Sequence, residues 1–109
     1  MIYPVYQYFC ERQRGVPPDP GPTLQRQAMI DWSKDIGRSL DYLATRDDID
    51  SSHIGYLGVS QGSAHGVILA ALEDRFKAVV LLDGGFFETE HPVAGTDQVD
   101  FAPRLRNRC

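Results

Sequence analysis

Cysteine is scarce in this 109-residue sequence, and long apolar runs and an excess of basic residues are missing. Its two cysteines, Cys10 and Cys109, have no zinc-like spacing to a histidine, which favours reduced thiols in a cytoplasmic setting over a structural disulfide. No apolar stretch reaches ~18 residues and no basic leader precedes one, so neither a membrane span nor a signal peptide is predicted. The formal net charge of −4 gives no electrostatic footprint for nucleic acid.

What is present fits one globular domain, since 42% of the residues are hydrophobic. We divide it into an extended segment and loop (1–22), a core of helices and strands (23–87) and an irregular tail (88–109). The first nine residues are rich in aromatic and β-branched side chains and predict a strand, which Pro4 confines to an edge or a strand end. The Gly- and Pro-rich stretch from Gly15 to Pro22 predicts a loop.

A long helix is predicted from about Thr23 to Arg46, because apolar residues recur with helical spacing. The apolar arc consists of Leu24, Ala28, Met29, Trp32, Ile36, Leu40 and Leu43. Trp32 could stack on a ligand, but its place within this arc favours core packing.

Two short apolar runs, Ile54–Val59 and Lys77–Leu82, predict buried strands on either side of a helix over Gln61–Glu73. The predicted order is therefore strand, helix, strand, helix, strand. Alternation of this kind is typical of an α/β fold, in which helices cover both faces of a parallel sheet and form three layers.

The segment Gly58-Val-Ser-Gln-Gly62 matches G-x-S-x-G at the junction of a predicted strand and helix. This setting is typical of a nucleophile elbow, a turn whose strained backbone lifts the Ser60 hydroxyl above the sheet. Gly58 and Gly62 would avoid collisions across the turn, and the Gln61 N–H would donate to an oxyanion. The alternative is that Ser60 only caps the helix.

The stretch from Asp31 to Phe87 resembles the α/β-hydrolase superfamily, in particular its dienelactone-hydrolase and prolyl-oligopeptidase-like branch. The residues that carry this resemblance are the helix Asp31–Leu43, the run Ile54-Gly-Tyr-Leu-Gly-Val-Ser-Gln-Gly62 and the strand with its exit loop, Arg75–Phe86. The resemblance implies a serine hydrolase in which Ser60 attacks a carbonyl. A His later in the chain takes the serine proton, and a later Asp orients that His.

The resemblance also implies that the superfamily's first three strands, acid and base lie outside this chain, leaving the sheet incomplete. The chain's own substitutes are Asp83 as acid and His91 as base, although both are ordinary loop residues by their surroundings. His53 precedes the strand at its opposite end, and His65 points away from Ser60 along the helix.

These observations predict a serine hydrolase of small ester or peptide-like substrates, with no metal or organic cofactor and little turnover by the isolated chain. The alternative is a non-catalytic hydrolase-derived fragment or a partner-dependent α/β module. In that case a partner chain would cover the open sheet edges.

Overall fold

The computed structural model describes residues 1–13, 21–84, 86 and 93–105. Helices and strands alternate through its centre: α1 (Pro22–Ala44), β1 (Ile54–Val59), α2 (Gln61–Leu72) and β2 (Phe76–Leu82). A 3-10 turn over Cys10–Arg12 precedes them, and a short helix α3 (Gln98–Phe101) and a 3-10 turn over Ala102–Leu105 follow. The chain is thus α/β, with element bounds in the core that lie within two residues of the predicted ones.

Helix α1 begins at Pro22. Proline suits the first helical position because the N–H that it lacks would have no intrahelical partner there. Its buried face is formed by Ala28, Met29, Trp32, Ile36 and Leu40, all members of the predicted apolar arc. Trp32 is only 8% exposed, and its Nε1 donates to the Gln7 carbonyl oxygen at 2.7 Å. Core packing of Trp32 is therefore confirmed.

Helix α2 is apolar on nearly every side, and such a helix has to be enclosed by other elements. It packs on α1, on both strands and on α3, so that all but one of the residues from Ser63 to Ala71 are buried. The Gln98 side-chain amide donates to the Ala64 carbonyl oxygen and fastens α3 to it. No helix in the described ranges is long and apolar enough to cross a membrane.

The two strands pair in parallel, with a register that runs from Ile54 opposite Phe76 to Val59 opposite Leu82. Because parallel strands end at the same edge of a sheet, the turns after Val59 and Leu82 leave it side by side. This arrangement brings the G-x-S-x-G turn next to the exit loop of β2.

The prediction that helices cover both sheet faces is not met by the described residues. Tyr56, Gly58 and Leu81 face α2, whereas the opposite face carries alternating apolar side chains that no described helix covers. These are Leu57, Val59, Val80 and Leu82, which are 53%, 55%, 47% and 49% exposed. The described part of the fold consists of two layers, with one apolar sheet face open.

The strand predicted over Met1–Phe9 does not form. The backbone turns out of the extended region at Tyr8 and Cys10, whose φ angles are 75° and 48°. Backbone groups of this segment bond to side chains of α1 instead of to a neighbouring strand. The Gln7 N–H, for example, donates to Asp35 Oδ2 at 2.8 Å. Side-chain tethers have replaced strand pairing in this segment.

The predicted irregular tail is partly helical, since residues 98–105 form α3 and the 3-10 turn that follows it. The Asp97 side chain accepts from the Val99 N–H at 3.0 Å and caps α3. Leu105 is buried as part of the hydrophobic core that includes α2. A four-residue helix is too short for its periodicity to be read from sequence, which explains why the pattern gave no signal here.

Candidate active site

Ser60 occupies the single position between the end of β1 and the start of α2. Its backbone has φ 51° and ψ −115°, a region that residues other than glycine adopt only under constraint. The residue is exposed. Ser60 thus joins β1 to α2 in a strained, left-handed backbone conformation.

The Ser60 side chain does not cap α2, because its hydroxyl makes no capping hydrogen bond. A capping serine has an extended backbone and accepts from an amide of the first turn, and Ser60 has neither feature. Backbone hydrogen bonds fix Ser60 to the first turn of α2 instead, since its carbonyl oxygen accepts from the Ser63 and Ala64 amides at 2.9 and 3.0 Å. The hydroxyl is left available for other chemistry.

The two glycines of the motif play different roles. A Cβ on Gly58 would lie 2.6 Å from the Gly62 carbonyl carbon and 2.9 Å from the Ser63 nitrogen, so only glycine fits there. A Cβ on Gly62 would meet nothing closer than Tyr56 Oη at 3.9 Å, an ordinary contact. An added Cβ would therefore collide at Gly58 but make only an ordinary contact at Gly62.

Gln61 is the first residue of α2, and the first four N–H groups of a helix have no partner within it. The positive end of the helix dipole lies at the same place and favours negative charge. The Gln61 N–H directly follows Ser60, so a backbone donor at the start of α2 lies next to the serine.

Asp83 follows β2 directly and shares with Ser60 a φ of 51°. The two residues lie at the same sheet edge, since the Ser60 N–H donates to the carbonyl oxygen of Leu82 at 2.9 Å. Next to them, a Cβ on Gly84 would lie 2.8 Å from the Ser60 carbonyl oxygen and 2.6 Å from Ser63 Cβ. The residues that follow β2 therefore pack closely against the turn at Ser60.

The described histidines lie away from Ser60. His53 precedes β1, and its Nδ1 bonds to Asp50 Oδ2 at 2.7 Å and to Ser52 Oγ at 2.8 Å in a local, exposed turn. The His65 ring stacks on Trp32 with ring centroids 4.9 Å apart, and burial lowers its pKa. His91, the predicted base, lies outside the described residues, as does Cys109; Cys10 is an exposed free thiol.

Sequence reasoning missed one residue of this region, Tyr56, which was read only as part of a buried strand. Its hydroxyl donates to the Gly62 carbonyl oxygen at 2.8 Å. A signal was available: a tyrosine on a strand whose next helix carries glycines at positions 62 and 66 has room to lie against that helix.

Residues 37–108, about two thirds of the chain, match the family described as BAAT / Acyl-CoA thioester hydrolase C terminal. No curated protein and no solved structure matches the chain. The match supports the α/β-hydrolase class, but it does not single out the dienelactone-hydrolase and prolyl-oligopeptidase-like branch. The chain belongs to the BAAT / acyl-CoA thioester hydrolase C-terminal family, a hydrolase-related domain of the α/β-hydrolase class.

Proposed function

We propose that this chain supplies the nucleophilic serine of an acyl-transfer hydrolase, with Ser60 as the attacking residue and an acyl thioester or ester as substrate. The observation that carries the proposal is the strained, exposed Ser60 between β1 and α2, whose hydroxyl makes no capping bond. Backbone strain of this kind clusters at functional sites, where the surrounding structure holds it in place, and here the hydrogen bonds of the Ser60 amide and carbonyl do so. The family match favours a thioester over the peptide-like alternative.

In the proposed reaction Ser60 Oγ attacks the acyl carbonyl carbon while a base takes the hydroxyl proton. The carbonyl oxygen becomes an oxyanion that accepts the Gln61 N–H at the positive end of α2. Collapse of this intermediate breaks the carbon–sulfur or carbon–oxygen bond, and the departing thiol or alcohol receives the proton. Water then releases the acid and restores the Ser60 hydroxyl.

The chain's own candidates for the remaining roles are Asp83 as the acid and His91 as the base. Asp83 is supported by its place at the same sheet edge as Ser60. Because no described histidine lies within hydrogen-bonding distance of Ser60 Oγ, we expect acylation of the isolated chain to be slow and turnover to be low.

An active-site-directed fluorophosphonate tests this proposal, with hydrolysis of a short acyl-CoA measured in parallel by the thiol released. Ser63→Ala is the matched control, since Ser63 is one turn further along α2 and only 1% exposed. We expect slow, single-site labelling at Ser60 that Ser60→Ala abolishes and Ser63→Ala preserves. Labelling that survives in Ser60→Ala, or a folded wild type that never reacts, would overturn the proposal.

A second candidate function, that of a partner-dependent module, is favoured by the open sheet. Within the described residues β1 pairs only with β2. An apolar cavity of about 750 Å³ lies beside β1 and is also lined by Met1 and Tyr6. Unpaired strand edges and exposed apolar faces tend to recruit another chain. Sedimentation velocity tests this: a monodisperse monomer with a cooperative thermal transition would rule it out.

A further inference from the structure

Tyr56 lies on β1 four residues ahead of Ser60, with its side chain directed towards α2. The hydroxyl donates to the Gly62 carbonyl oxygen at 2.8 Å. Gly62 belongs to the first turn of α2, the turn that also presents the Gln61 N–H. Tyr56 therefore joins the strand before the serine to the helix after it.

The carbonyl group that accepts from Tyr56 also lies close to the backbone of Gly58. The backbone of Gly58 approaches it so closely that a Cβ there would lie 2.6 Å from the Gly62 carbonyl carbon. The Gly62 carbonyl thus lies close to β1 at two residues, Gly58 and Tyr56. Movement of the first turn of α2 has to break one of these two contacts.

The ring of Tyr56 occupies the space left by a second glycine. A Cβ on Gly66 would lie 2.7 Å from Tyr56 Cε1 and 3.3 Å from Tyr56 Cζ. Gly62 and Gly66 are four residues apart and so share one face of α2, along which the ring lies. Phe76 packs edge-on against Tyr56, with ring centroids 5.5 Å apart and an interplanar angle of 62°.

The hydroxyl remains a donor throughout the pH range in which the protein can be handled, because burial raises the pKa of Tyr56. A neutral phenol in this place has a persistent partner in the Gly62 carbonyl.

We propose that Tyr56 is a positioning residue, which holds the first turn of α2 and with it the Gln61 N–H in register with Ser60. The proposal rests on the proposed function of Ser60. Its physical basis is that an oxyanion donor contributes only when it is aimed in advance, so small displacements of the turn cost rate. Tyr56 itself touches no reacting atom.

The test compares wild type with Tyr56→Phe, which keeps the ring and removes only the hydroxyl. Tyr3→Phe serves as the control, because Tyr3 is 79% exposed. We expect Tyr56→Phe to lower the rate constant for acylation of Ser60 by about five- to tenfold, the value of one hydrogen bond, with the concentration dependence on acyl-CoA almost unchanged and the thermal midpoint lower by about 4–8 °C. Tyr3→Phe should match wild type.

A second measurement does not depend on catalysis. The Ser63 and Ala64 amides donate to the Ser60 carbonyl oxygen, so their hydrogen exchange reports on the turn directly. We expect exchange at these two amides to be about five- to tenfold faster in Tyr56→Phe, with amides in the middle of α1 unaffected.

Unchanged exchange at these amides would overturn the proposal, and so would an acylation rate equal to that of wild type. A uniform loss of stability that accounts for the slower reaction would also overturn it, since Tyr56 would then be merely structural. If instead Ser60→Ala reacts as fast as wild type, the proposed nucleophile is wrong, and the exchange data still decide whether Tyr56 holds the turn.

Discussion

The backbone N–H of Ser60 donates to the carbonyl oxygen of Leu82 at 2.9 Å. Since the register ends with Val59 opposite Leu82, this bond continues the parallel ladder beyond β1. Ser60 is thereby fixed to β2 by its amide and to α2 by its carbonyl, which accepts from Ser63 and Ala64. The backbone alone sets the position of the serine, and its side chain can change without disturbing the turn.

Substitution of Ser60 by glycine should therefore stabilise the fold while removing the proposed nucleophile. A strained φ costs of order 1–3 kcal/mol in a residue with a Cβ, and glycine relieves this cost but adds ~0.5–1 kcal/mol of chain entropy. We expect Ser60→Gly to raise the free energy of unfolding in urea by about 1 kcal/mol. Ser63→Gly, inside α2, should lower it by about 1 kcal/mol; a loss of stability in both variants would contradict the strain assigned to Ser60.

Alanine should change the stability of the fold much more at Gly58 than at Gly62. Gly58→Ala places a methyl group 2.6 Å from the Gly62 carbonyl carbon, and we expect it to lower stability by about 1–3 kcal/mol, as over-packing does elsewhere. Gly62→Ala meets only Tyr56 Oη at 3.9 Å and should change stability by less than about 1 kcal/mol. Thermal denaturation of both variants measures the difference, and equal costs would show that the turn is less rigid than its geometry indicates.

The sequence predicted those parts of the fold whose signal is local. The bounds of β1 were predicted without error, and the apolar arc of α1 matches its buried face, because the periodicity of burial is written directly in the chain. The strained conformation of Ser60 also followed from a short motif at a strand–helix junction.

What the sequence did not predict depends on contacts between distant residues. Gln7 bonds to Asp35 across 28 positions, so the strand propensity of the first residues was overridden by tethers that no local pattern reveals. The same holds for Tyr56 and for the open sheet face: whether a side chain meets a glycine, or a face meets a helix, is decided by tertiary packing.

The anchor of the N-terminal segment provides a third prediction. Asp35 accepts from the Gln7 N–H at 2.8 Å and pairs with Arg12 at 2.9 Å, and its side chain is 20% exposed. Asp35→Ala leaves the Gln7 N–H without its acceptor and removes the carboxylate from Arg12, which keeps its bonds to the Val5 and Gln7 oxygens, so we expect a loss of about 1–3 kcal/mol and faster cleavage by a protease within residues 1–13. Asp41→Ala removes a more exposed carboxylate, which pairs with Arg75, and should change stability by less than about 1 kcal/mol. Equal protease sensitivity in the two variants would show that Asp35 is not the anchor.

His65 makes the stability of the fold depend on pH in a defined direction. Its ring is packed against Trp32, and desolvation by burial lowers its pKa below the ordinary value of 6.5. The unfolded chain therefore binds the proton first as the pH falls, so stability is unaffected above about pH 6.5 and declines below it until the folded-state pKa is reached. We expect the urea concentration at the unfolding midpoint to decrease as the pH is lowered from 7.5 to 5.5.

The variant His65→Phe separates this effect from the titration of other groups, because phenylalanine keeps a ring against Trp32 and binds no proton. Its midpoint should fall less steeply than that of wild type over the same interval. His53→Gln replaces an exposed histidine that bonds only within its local turn and is the matched control for loss of a histidine. If His65→Phe kept the full slope of wild type, the pH dependence would not come from the packing of His65 between α1 and α2.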